Sequence, residues 1–530
     1  MSSRNLVDYI IVGNGAAGSA LAHRLGANPQ NRVLVIEAGG PDRQQRHVTP
    51  AHFDQASYGP HRYRHALRPC GADRVGERLT KWGTGGSTTV NAMLWGGGAG
   101  YEAWEAAGVT GWNGARIQAA FTDMERYSHR ADGCRDSDGR REAEAGEPMD
   151  AASAWWIDAL ARQGSDAVED LTRRAAYASR TASNGTRTRA ARALLRGHVW
   201  RRPNVRVRLH CTARRILFDG TTATGVEAQT PRGTVRFTAR REVIVCAGTV
   251  ESPLLLQRSG VGDPELLTTA GVHLVAANPA VGGNLRQRRV AVLSLRLDGV
   301  PGADREPVTP AAQPRSRVTS LLRRSAAPPA HGGTAVLAVL SSDPGGSGPD
   351  MALQFTPVPM PDHDGASPGK DGAHGATVAL YPRSPTSVGS VHITGPALED
   401  PPRLVPGYLS TEYDKELTVA AFARVREILA TEPIASVATE TLPGPGVVDT
   451  AGVLRYVLDH GSTAHHEVGT CALGPGGAVD DELRVHGTHR LRVADASVMP
   501  TLTTGDTTAP GTAVGWIAGD LLRNANTQGR

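Results

Sequence analysis

The chain of 530 residues has little lysine. Lys81, Lys370 and Lys415 are its only lysines, although the net charge is +5 and the pI is about 9.1. Arginine therefore carries almost all of the positive charge. Aromatic residues make up only 5% of the chain, and no block of Lys or Arg with interleaved aromatics occurs. Such blocks are typical of nucleic-acid-binding surfaces, so we expect no nucleic-acid partner.

Cysteine is also scarce, and the five residues are scattered: Cys70, Cys134, Cys211, Cys246 and Cys471. An odd, unclustered set is typical of reduced thiols in a cytoplasm and unlike a disulfide framework or a zinc site. No apolar stretch is long enough to span a membrane, and the first strand begins too near Met1 to leave room for a signal peptide. We therefore expect a cytoplasmic protein with no membrane partner and no metal. Its length suits two or more domains.

Near the N-terminus, a strand of the buried type runs directly into a glycine-rich turn. The apolar run 8–12 ends on Gly13, and a helix pattern of small residues follows. In this Gly-x-Gly-x-x-Gly turn, Gly13 permits the tight bend, Gly15 lets backbone approach a pyrophosphate, and Gly18 lets helix and strand pack closely. The phosphates would lie at the helix N-terminus, where free N–H groups and the dipole favour anions. The pattern predicts a dinucleotide cradle.

A second apolar run, 32–36, ends directly on Glu37, with Ala38 after it. A carboxylate about twenty residues beyond the glycines is placed to accept hydrogen bonds from ribose hydroxyls. An acid at this position argues against a 2′-phosphate, so the unit predicts FAD or NAD. The alternative is a glycine-rich loop without a ligand.

Similar features recur along the chain. Loop 79–91 is rich in glycine and hydroxyl residues, which suits close backbone approach. Segment 204–247 alternates apolar and polar residues and predicts an antiparallel meander that ends in a buried strand. A helix is predicted at 416–431, and a strand at 491–495 is expected to return to the cofactor. Segment 299–348 is rich in Pro, Ala, Ser and Arg and indicates a loop or lid.

These blocks resemble the glucose-methanol-choline (GMC) oxidoreductase family over nearly the whole chain. Segment 248–262 matches the family's second signature at every constrained position, and segment 479–500 is similar to its C-terminal block. Loop 85–91 matches the core of the first signature, although Thr84 stands where a larger aliphatic residue is usual. The resemblance implies an α/β fold. A Rossmann-like FAD-binding domain would be assembled from discontinuous segments, beside an α+β substrate domain with an antiparallel sheet.

On this resemblance, residues 1–287 form the FAD-binding domain, with a lid or substrate-domain portion inserted around 100–195. Residues 288–460 form the substrate-binding domain. Residues 461–530 return to the FAD domain and carry the catalytic histidine.

The resemblance also distributes the cofactor contacts. Gly13, Gly15, Gly18 and Glu37, with Ala38 beside it, would hold the ADP half of FAD. Ala213 would lie at the adenine, Gly86 and Asn91 by the pyrophosphate and flavin, and Asp495 and Ala496 along the ribityl chain. Some relatives tether the flavin through a histidine just before this asparagine. Here that residue is Val90, so we expect non-covalent FAD.

The chemistry implied is alcohol oxidation, in which the flavin takes a hydride and a protein base removes the hydroxyl proton. Histidine suits this role because it titrates near neutral pH. The family's base position falls on His466, in the run 464–471, and the side chain of His465 is expected to point elsewhere.

Two departures from the family stand out. The family places a second His or Asn opposite the base, within Gly-Asn-Thr-Asn-Ala-Pro or a similar run. Here the run is 505–510, with Thr508 at that site. A threonine hydroxyl can hydrogen-bond to substrate oxygen but cannot titrate, which leaves His466 as the sole base. After Leu285, where an Asp-His pair is typical, stands Arg286-Gln287-Arg288. We interpret this run as structural, near the surface of the flavin domain.

The substrate segment is poor in rings, Phe355, Tyr381, Tyr408 and Tyr413 being among its few. This favours a polar, hydroxylated substrate over an aryl alcohol or sterol. We expect oxidation of a primary alcohol of a sugar or aminoglycoside to the aldehyde, as in antibiotic biosynthesis, with oxygen or another electron acceptor. The alternatives are a dehydrogenase that uses a non-oxygen acceptor and a hydroxynitrile lyase-like enzyme with structural flavin. A flavin-bound protein without catalysis and an unrelated NAD enzyme also stay open.

Overall fold

The computed structural model describes residues 5–41, 62–67, 76–81, 85–89, 99–132, 151–162, 176–177, 182–183, 186–187, 202–299, 336–343, 348–357 and 374–528. Several residues singled out in the sequence lie outside these ranges. They are Val90, Asn91, most of the loop 299–348 and part of the insertion 100–195.

The helices are α1 (Ala16–Leu25), α2 (Glu102–Ala106), α3 (Gly114–Asp132), α4 (Ala151–Arg162), α5 (Gly248–Arg258), α6 (Pro264–Thr269), α7 (Glu412–Leu429), α8 (Thr450–His460) and α9 (Thr508–Gln528). Short 3₁₀ turns lie at Gly86–Thr89, Ile434–Ser436 and Ala496–Val498. The strands are β1 (Leu6–Val12), β2 (Val33–Ile36), β3 (Arg62–Leu67), β4 (Gly76–Lys81), β5 (Ala176–Tyr177), β6 (Ala182–Ser183), β7 (Thr186–Arg187), β8 (Val205–Arg208), β9 (Thr212–Asp219), β10 (Thr222–Thr230), β11 (Gly233–Val245), β12 (Val261–Gly262), β13 (Ala276–Ala277), β14 (Arg289–Leu297), β15 (Val336–Leu340), β16 (Met351–Thr356), β17 (His374–Pro382), β18 (Ser390–His392), β19 (Arg403–Val405), β20 (Ala438–Leu442), β21 (Ser462–Thr463) and β22 (Leu491–Val493).

The first sheet has seven strands in the order β8-β2-β1-β11-β10-β9, with β22 beside the end of β11. Strand β1 pairs in parallel with β2 and β11, and its residues Ile10 and Ile11 are fully buried. A continuous apolar run is what a parallel strand needs when it is covered on both faces. The parallel strands deliver their carboxyl ends, including Val12 and Val493, to one edge of the sheet.

The predicted meander at 204–247 is partly wrong. Strands β9, β10 and β11 do form an antiparallel meander, but β8 pairs in parallel with β2, with Val205 opposite Val33. The alternation of apolar and polar residues in β8 fits either pairing, and only the chain connection decides between them.

The second sheet is antiparallel, in the order β20-β14-β17-β16-β15-β5, with β21 pairing to the start of β14. One face carries a buried cluster that includes Leu293, Leu353 and Phe355 with residues of α4, α7 and α8. The opposite face buries Val290, Ala352 and Tyr381, against which Ala464 packs. Helices therefore cover one face, and the other meets the segment that leads to His466.

The predicted α/β fold, with a Rossmann-like unit and an antiparallel sheet, is confirmed. A small sheet, β18-β19-β3-β4, combines strands at 62–81 with strands at 390–405. Its Val391 and Leu404 pack with Val250 and Leu254 of α5, on the flavin side. Residues 390–405, inside the range 288–460 predicted for the substrate domain, therefore pack against the helix that follows β11. Within the described ranges, no helix has the length and apolar character needed to cross a bilayer.

Candidate active site

The glycine turn after β1 is packed so tightly that it tolerates no side chain at two of its three glycines. Gly13 has φ +105°, and a Cβ there would lie 2.3 Å from the Cys246 carbonyl oxygen. A Cβ on Gly18 would lie 2.1 Å from the Gly13 carbonyl oxygen. A Cβ on Gly15, by contrast, would meet nothing within 4 Å. The turn thus leaves open space beside Gly15 at the N-terminus of α1, where a pyrophosphate can bind.

The second glycine loop lies directly against the first. The Gly85 N–H donates to the Asn14 carbonyl oxygen at 2.9 Å. Gly86 has φ +53°, and a Cβ there would lie 3.0 Å from the Gly15 Cα. The two loops therefore line one cradle, although they are about seventy residues apart in sequence. Asn91, the other residue predicted here, lies outside the described residues.

Glu37 lies at the end of β2 and is 7% exposed. Its Oε2 accepts from the Asn14 N–H at 2.9 Å, and its Oε1 accepts from the Gly39 N–H at 2.8 Å. A carboxylate oxygen can accept a second hydrogen bond, so both oxygens can still receive a ribose hydroxyl. Ala38 follows and is half-buried.

Ala213 is connected to this corner through the backbone. The Cys211 N–H donates to the Glu37 carbonyl oxygen at 2.9 Å, which brings the start of β9 beside Glu37. Ala213 lies there, half-buried and paired with Ala228 of β10. The small side chain of Ala213, near the Glu37 carboxylate that is predicted to bind the ribose, is compatible with an adenine ring.

The side-chain carboxylate of Asp495 accepts hydrogen bonds from two separate segments of the chain. Its Oδ2 accepts from the Gly248 N–H at 2.8 Å and from the Ser252 hydroxyl at 2.6 Å, and its Oδ1 accepts from the Ser497 N–H at 2.8 Å. The carboxylate thus joins the end of β22 to the start of α5. Ala496, which follows Asp495, is half-buried.

His466 follows β21, on a loop anchored at both ends. Ser462 pairs with Val290 of β14, and the Val468 N–H donates to the Arg286 carbonyl oxygen at 3.0 Å. His465 has φ +57° and is exposed, whereas the side chain of His466 is 18% exposed. The two neighbouring imidazoles therefore differ in environment, and His466 is the one turned toward the protein.

The partner of His466 is Asp506, a residue that the sequence interpretation missed. His466 Nε2 lies 3.4 Å from Asp506 Oδ2, and the Asp506 side chain is 6% exposed. Asp506 Oδ1 accepts from the Thr508 N–H at 2.7 Å. Burial alone would raise the pKa of Asp506, but the attraction of His466 and the hydrogen bonds from His466 and Thr508 hold it below its usual range. The available signal was an acid where the family's run has asparagine.

The prediction that Arg288 lies near the surface of the flavin domain is wrong. Arg288 is 1% exposed, and burial lowers the pKa of its guanidinium. Its Nε and Nη2 donate to the Arg383 carbonyl oxygen at 3.1 and 2.8 Å, and its Nη1 donates to the Gly505 carbonyl oxygen at 3.2 Å. Nη2 also donates to the Thr503 carbonyl oxygen. Arg288 thus ties the end of β17 to the loop that carries Asp506.

Sequence profiles of the GMC oxidoreductase family match residues 7–290 and 385–515. The chain belongs to the GMC oxidoreductase family. An uncharacterised GMC-type oxidoreductase of Mycobacterium tuberculosis is 30% identical over 98% of this chain and 99% of its own length. Human mitochondrial choline dehydrogenase is 30% identical over 98% of this chain and 90% of its own.

The crystal structure of pyridoxine 4-oxidase from Mesorbium loti superposes with a TM-score of 0.84 at 27% identity, covering 98% of this chain and 99% of that one. Members of the GMC family are FAD-dependent alcohol oxidases and dehydrogenases, and this chain is an FAD-dependent oxidoreductase acting on alcohols. The open cradle at Gly15 and the buried carboxylate of Glu37 fit that cofactor.

The four aromatic residues singled out in the substrate segment of this GMC enzyme lie in different places. Phe355 lies on the helix-covered face of the second sheet, fully buried and stacked on Trp156 with 5.0 Å between ring centroids. Tyr408 donates to Gln287, and Tyr413 is 48% exposed. Tyr381 is on the face that meets Ala464, and its hydroxyl accepts from Gln354 at 3.0 Å. Of the four rings, only Tyr381 lies beside the histidine loop.

Proposed function

We propose that this enzyme oxidises a primary hydroxyl of a small, polar, hydroxylated alcohol, such as a sugar or aminoglycoside, to the aldehyde, with His466 as the base. The observation that carries the proposal is the contact of His466 with the buried carboxylate of Asp506, on the face of the sheet opposite the helices. Such a histidine can take a proton and be stabilised as it does so.

In this proposal, bound FAD would supply the acceptor for the hydride of the alcohol carbon. His466 takes the hydroxyl proton, and the carboxylate of Asp506 beside its Nε2 stabilises the positive charge that the ring gains. Gly13, Gly15, Gly18, Gly86 and Glu37 would hold the ADP half of the cofactor, with Ala38 and Ala213 toward the adenosine. Asp495, Ala496 and, outside the described residues, Asn91 would line the remainder.

Thr508 is the proposed second contact to the substrate oxygen. It lies in the first turn of α9, two residues after Asp506, and its backbone N–H already fixes that carboxylate. Its hydroxyl also hydrogen-bonds to Asp506, so toward the substrate its oxygen is left to accept a hydrogen bond, and it cannot take the proton.

The polar substrate class is supported by the side chains beside the histidine loop. Tyr381 lies in the small apolar cluster against which Ala464 packs, and its hydroxyl accepts from Gln354, while Asp506 contacts His466; the bulky Phe355 faces the opposite core. Two relatives are named for the alcohols choline and pyridoxine. We further propose a cytoplasmic location, non-covalent FAD and a place in antibiotic biosynthesis. The acceptor is oxygen or another electron acceptor, and peroxide formation during turnover distinguishes the two.

Anaerobic titration of the purified flavoprotein with a panel of alcohols tests the function. We expect the flavin absorbance to bleach with polyols or aminoglycosides that carry a primary hydroxyl. Bleaching by benzylic alcohols alone would overturn the substrate class, and an absence of bleaching by any alcohol would overturn alcohol oxidation.

A further inference from the structure

Two buried charged residues, Asp506 and Arg288, lie close to His466 or to the loop that contacts it. Asp506 Oδ2 is 3.4 Å from His466 Nε2. The guanidinium carbon of Arg288 lies 5.5 Å from the centre of the Tyr381 ring, and Arg288 binds the carbonyl oxygens of Gly505 and Thr503 in the loop before Asp506. None of these side chains is among the proposed FAD contacts, so their arrangement calls for a separate explanation.

We propose that Asp506 is a positioning residue for the base: its carboxylate stabilises His466 as the imidazole becomes protonated, and Arg288 fixes Asp506 in place. This rests on the proposed function, in which His466 removes the substrate proton. Asp506 touches His466 and is not required to touch the substrate.

The charge balance explains why a carboxylate helps. The alcohol O–H bond breaks, its proton forms a new N–H bond with the free lone pair of the imidazole, and the O–H electron pair becomes part of the carbonyl bond as the hydride leaves the carbon. His466 gains one positive charge in this step, 3.4 Å from a carboxylate oxygen. Because the Asp506 side chain is only 6% exposed, water and salt screen the attraction weakly.

The hydrogen bonds around Asp506 leave it able to act on His466. Oδ1 accepts from the Thr508 N–H, and Oδ2 is the oxygen nearest the imidazole. Arg288 donates to backbone carbonyl oxygens, and none of its described hydrogen bonds goes to the carboxylate. It therefore contributes positive charge that favours ionised Asp506 without occupying Oδ2.

The charged and titratable groups that face this pair come from three elements. Arg288 lies just before β14, Tyr381 and Arg383 lie at the end of β17, and Asp506 precedes α9. Burial alone would raise the pKa of Asp506, but the attraction of His466 and the hydrogen bonds from His466 and Thr508 hold it below the usual range. The carboxylate is therefore present at neutral pH, where the base has to work.

Asp506→Asn tests the proposal, because it removes the charge and keeps the shape. We expect retained FAD and a rate of anaerobic flavin reduction lowered by about 10²-fold, comparable with the loss of one preorganised electrostatic partner. A negative charge favours the protonated form of a neighbouring imidazole, so the acid limb of the rate should move to lower pH. Asp506→Glu, which restores the charge, should recover most of the rate and the original acid limb.

Asp263→Asn is the matched control. Asp263 also holds the start of a helix, accepting from the Leu266 N–H at 2.9 Å, but at α6, and the histidine it influences is His392. Its flavin reduction and pH profile should match those of the unmodified enzyme.

The outcomes separate this proposal from the function itself. If Asp506→Asn reduces flavin at the original rate with the original pH profile while His466→Ala is slow, the role of Asp506 is refuted and the base stands. If His466→Ala is as fast as the unmodified enzyme, the base assignment fails instead. If Asp506→Glu is as slow as Asp506→Asn, charge is not what the site needs, and the proposal is overturned.

Discussion

Gly15→Ala should separate cofactor binding from folding. Gly15 has φ −75° and ψ −164°, an extended conformation that alanine adopts readily, and its Cβ would meet no protein atom within 4 Å. We therefore expect the free energy of unfolding of the apoprotein to change by less than about 0.5 kcal/mol. The added methyl group would instead occupy the space left for the pyrophosphate. FAD affinity should fall at least about tenfold, which corresponds to about 1.4 kcal/mol.

Two measurements decide this prediction, urea unfolding of the apoprotein and FAD binding followed by flavin fluorescence. Gly18→Ala is the contrasting control, since its Cβ would lie 2.1 Å from the Gly13 carbonyl oxygen. That variant should lose stability as well as FAD. If Gly15→Ala binds FAD with unchanged affinity, the pyrophosphate does not lie over this glycine, and the cradle has been placed wrongly.

Three further predictions concern single side chains. Glu37→Ala should weaken FAD binding by about 1.5–3 kcal/mol, the value of a hydrogen bond to a charged group, and unchanged retention on gel filtration would exclude a ribose contact. Phe355→Ala should lower the free energy of unfolding by about 3–5 kcal/mol because it empties the helix-covered core; a loss below about 1 kcal/mol in urea melts would contradict that placement. Asp506 has a lowered pKa, so its charge stabilises the fold above an unfolded-state pKa of about 3.9 and this stability is lost as pH falls further. The gap in unfolding free energy between the unmodified protein and Asp506→Asn should therefore be larger at pH 7 than at pH 3, and a gap that grows on acidification would refute the sign.

The flavin-binding half of the fold could be predicted because its signals are local. An apolar run that ends on Gly13, and a second run that ends on Glu37, require only neighbouring residues to define strand, turn and acid. The FAD cofactor and the Rossmann-like architecture followed from these blocks and from the family resemblance. The strand β8 could not be placed in the same way, because its alternation of residues is compatible with parallel and antiparallel pairing.

The candidate base could be named from its motif, but its surroundings could not. Asp506 is forty residues from His466 in sequence, and the contact depends on how the start of α9 packs against the histidine loop. The sequence interpretation put Arg288 near the surface, where arginine side chains ordinarily lie. Its burial becomes understandable only when the carbonyl oxygens of Arg383 and Gly505 converge on it. Long-range packing of this kind leaves no periodic signal in the sequence.

The central claim, that His466 is the base of an alcohol oxidation, is tested most directly by anaerobic stopped-flow reduction of the bound flavin in His466→Ala and His465→Ala. We expect His466→Ala to retain FAD and its fold while flavin reduction slows by about 10²–10⁴-fold, the usual contribution of a positioned general base. His465→Ala should cost far less, because that side chain is exposed. If His465→Ala abolishes reduction and His466→Ala leaves it unchanged, the base has been assigned to the wrong histidine, and the roles given to Asp506 and Thr508 fall with it.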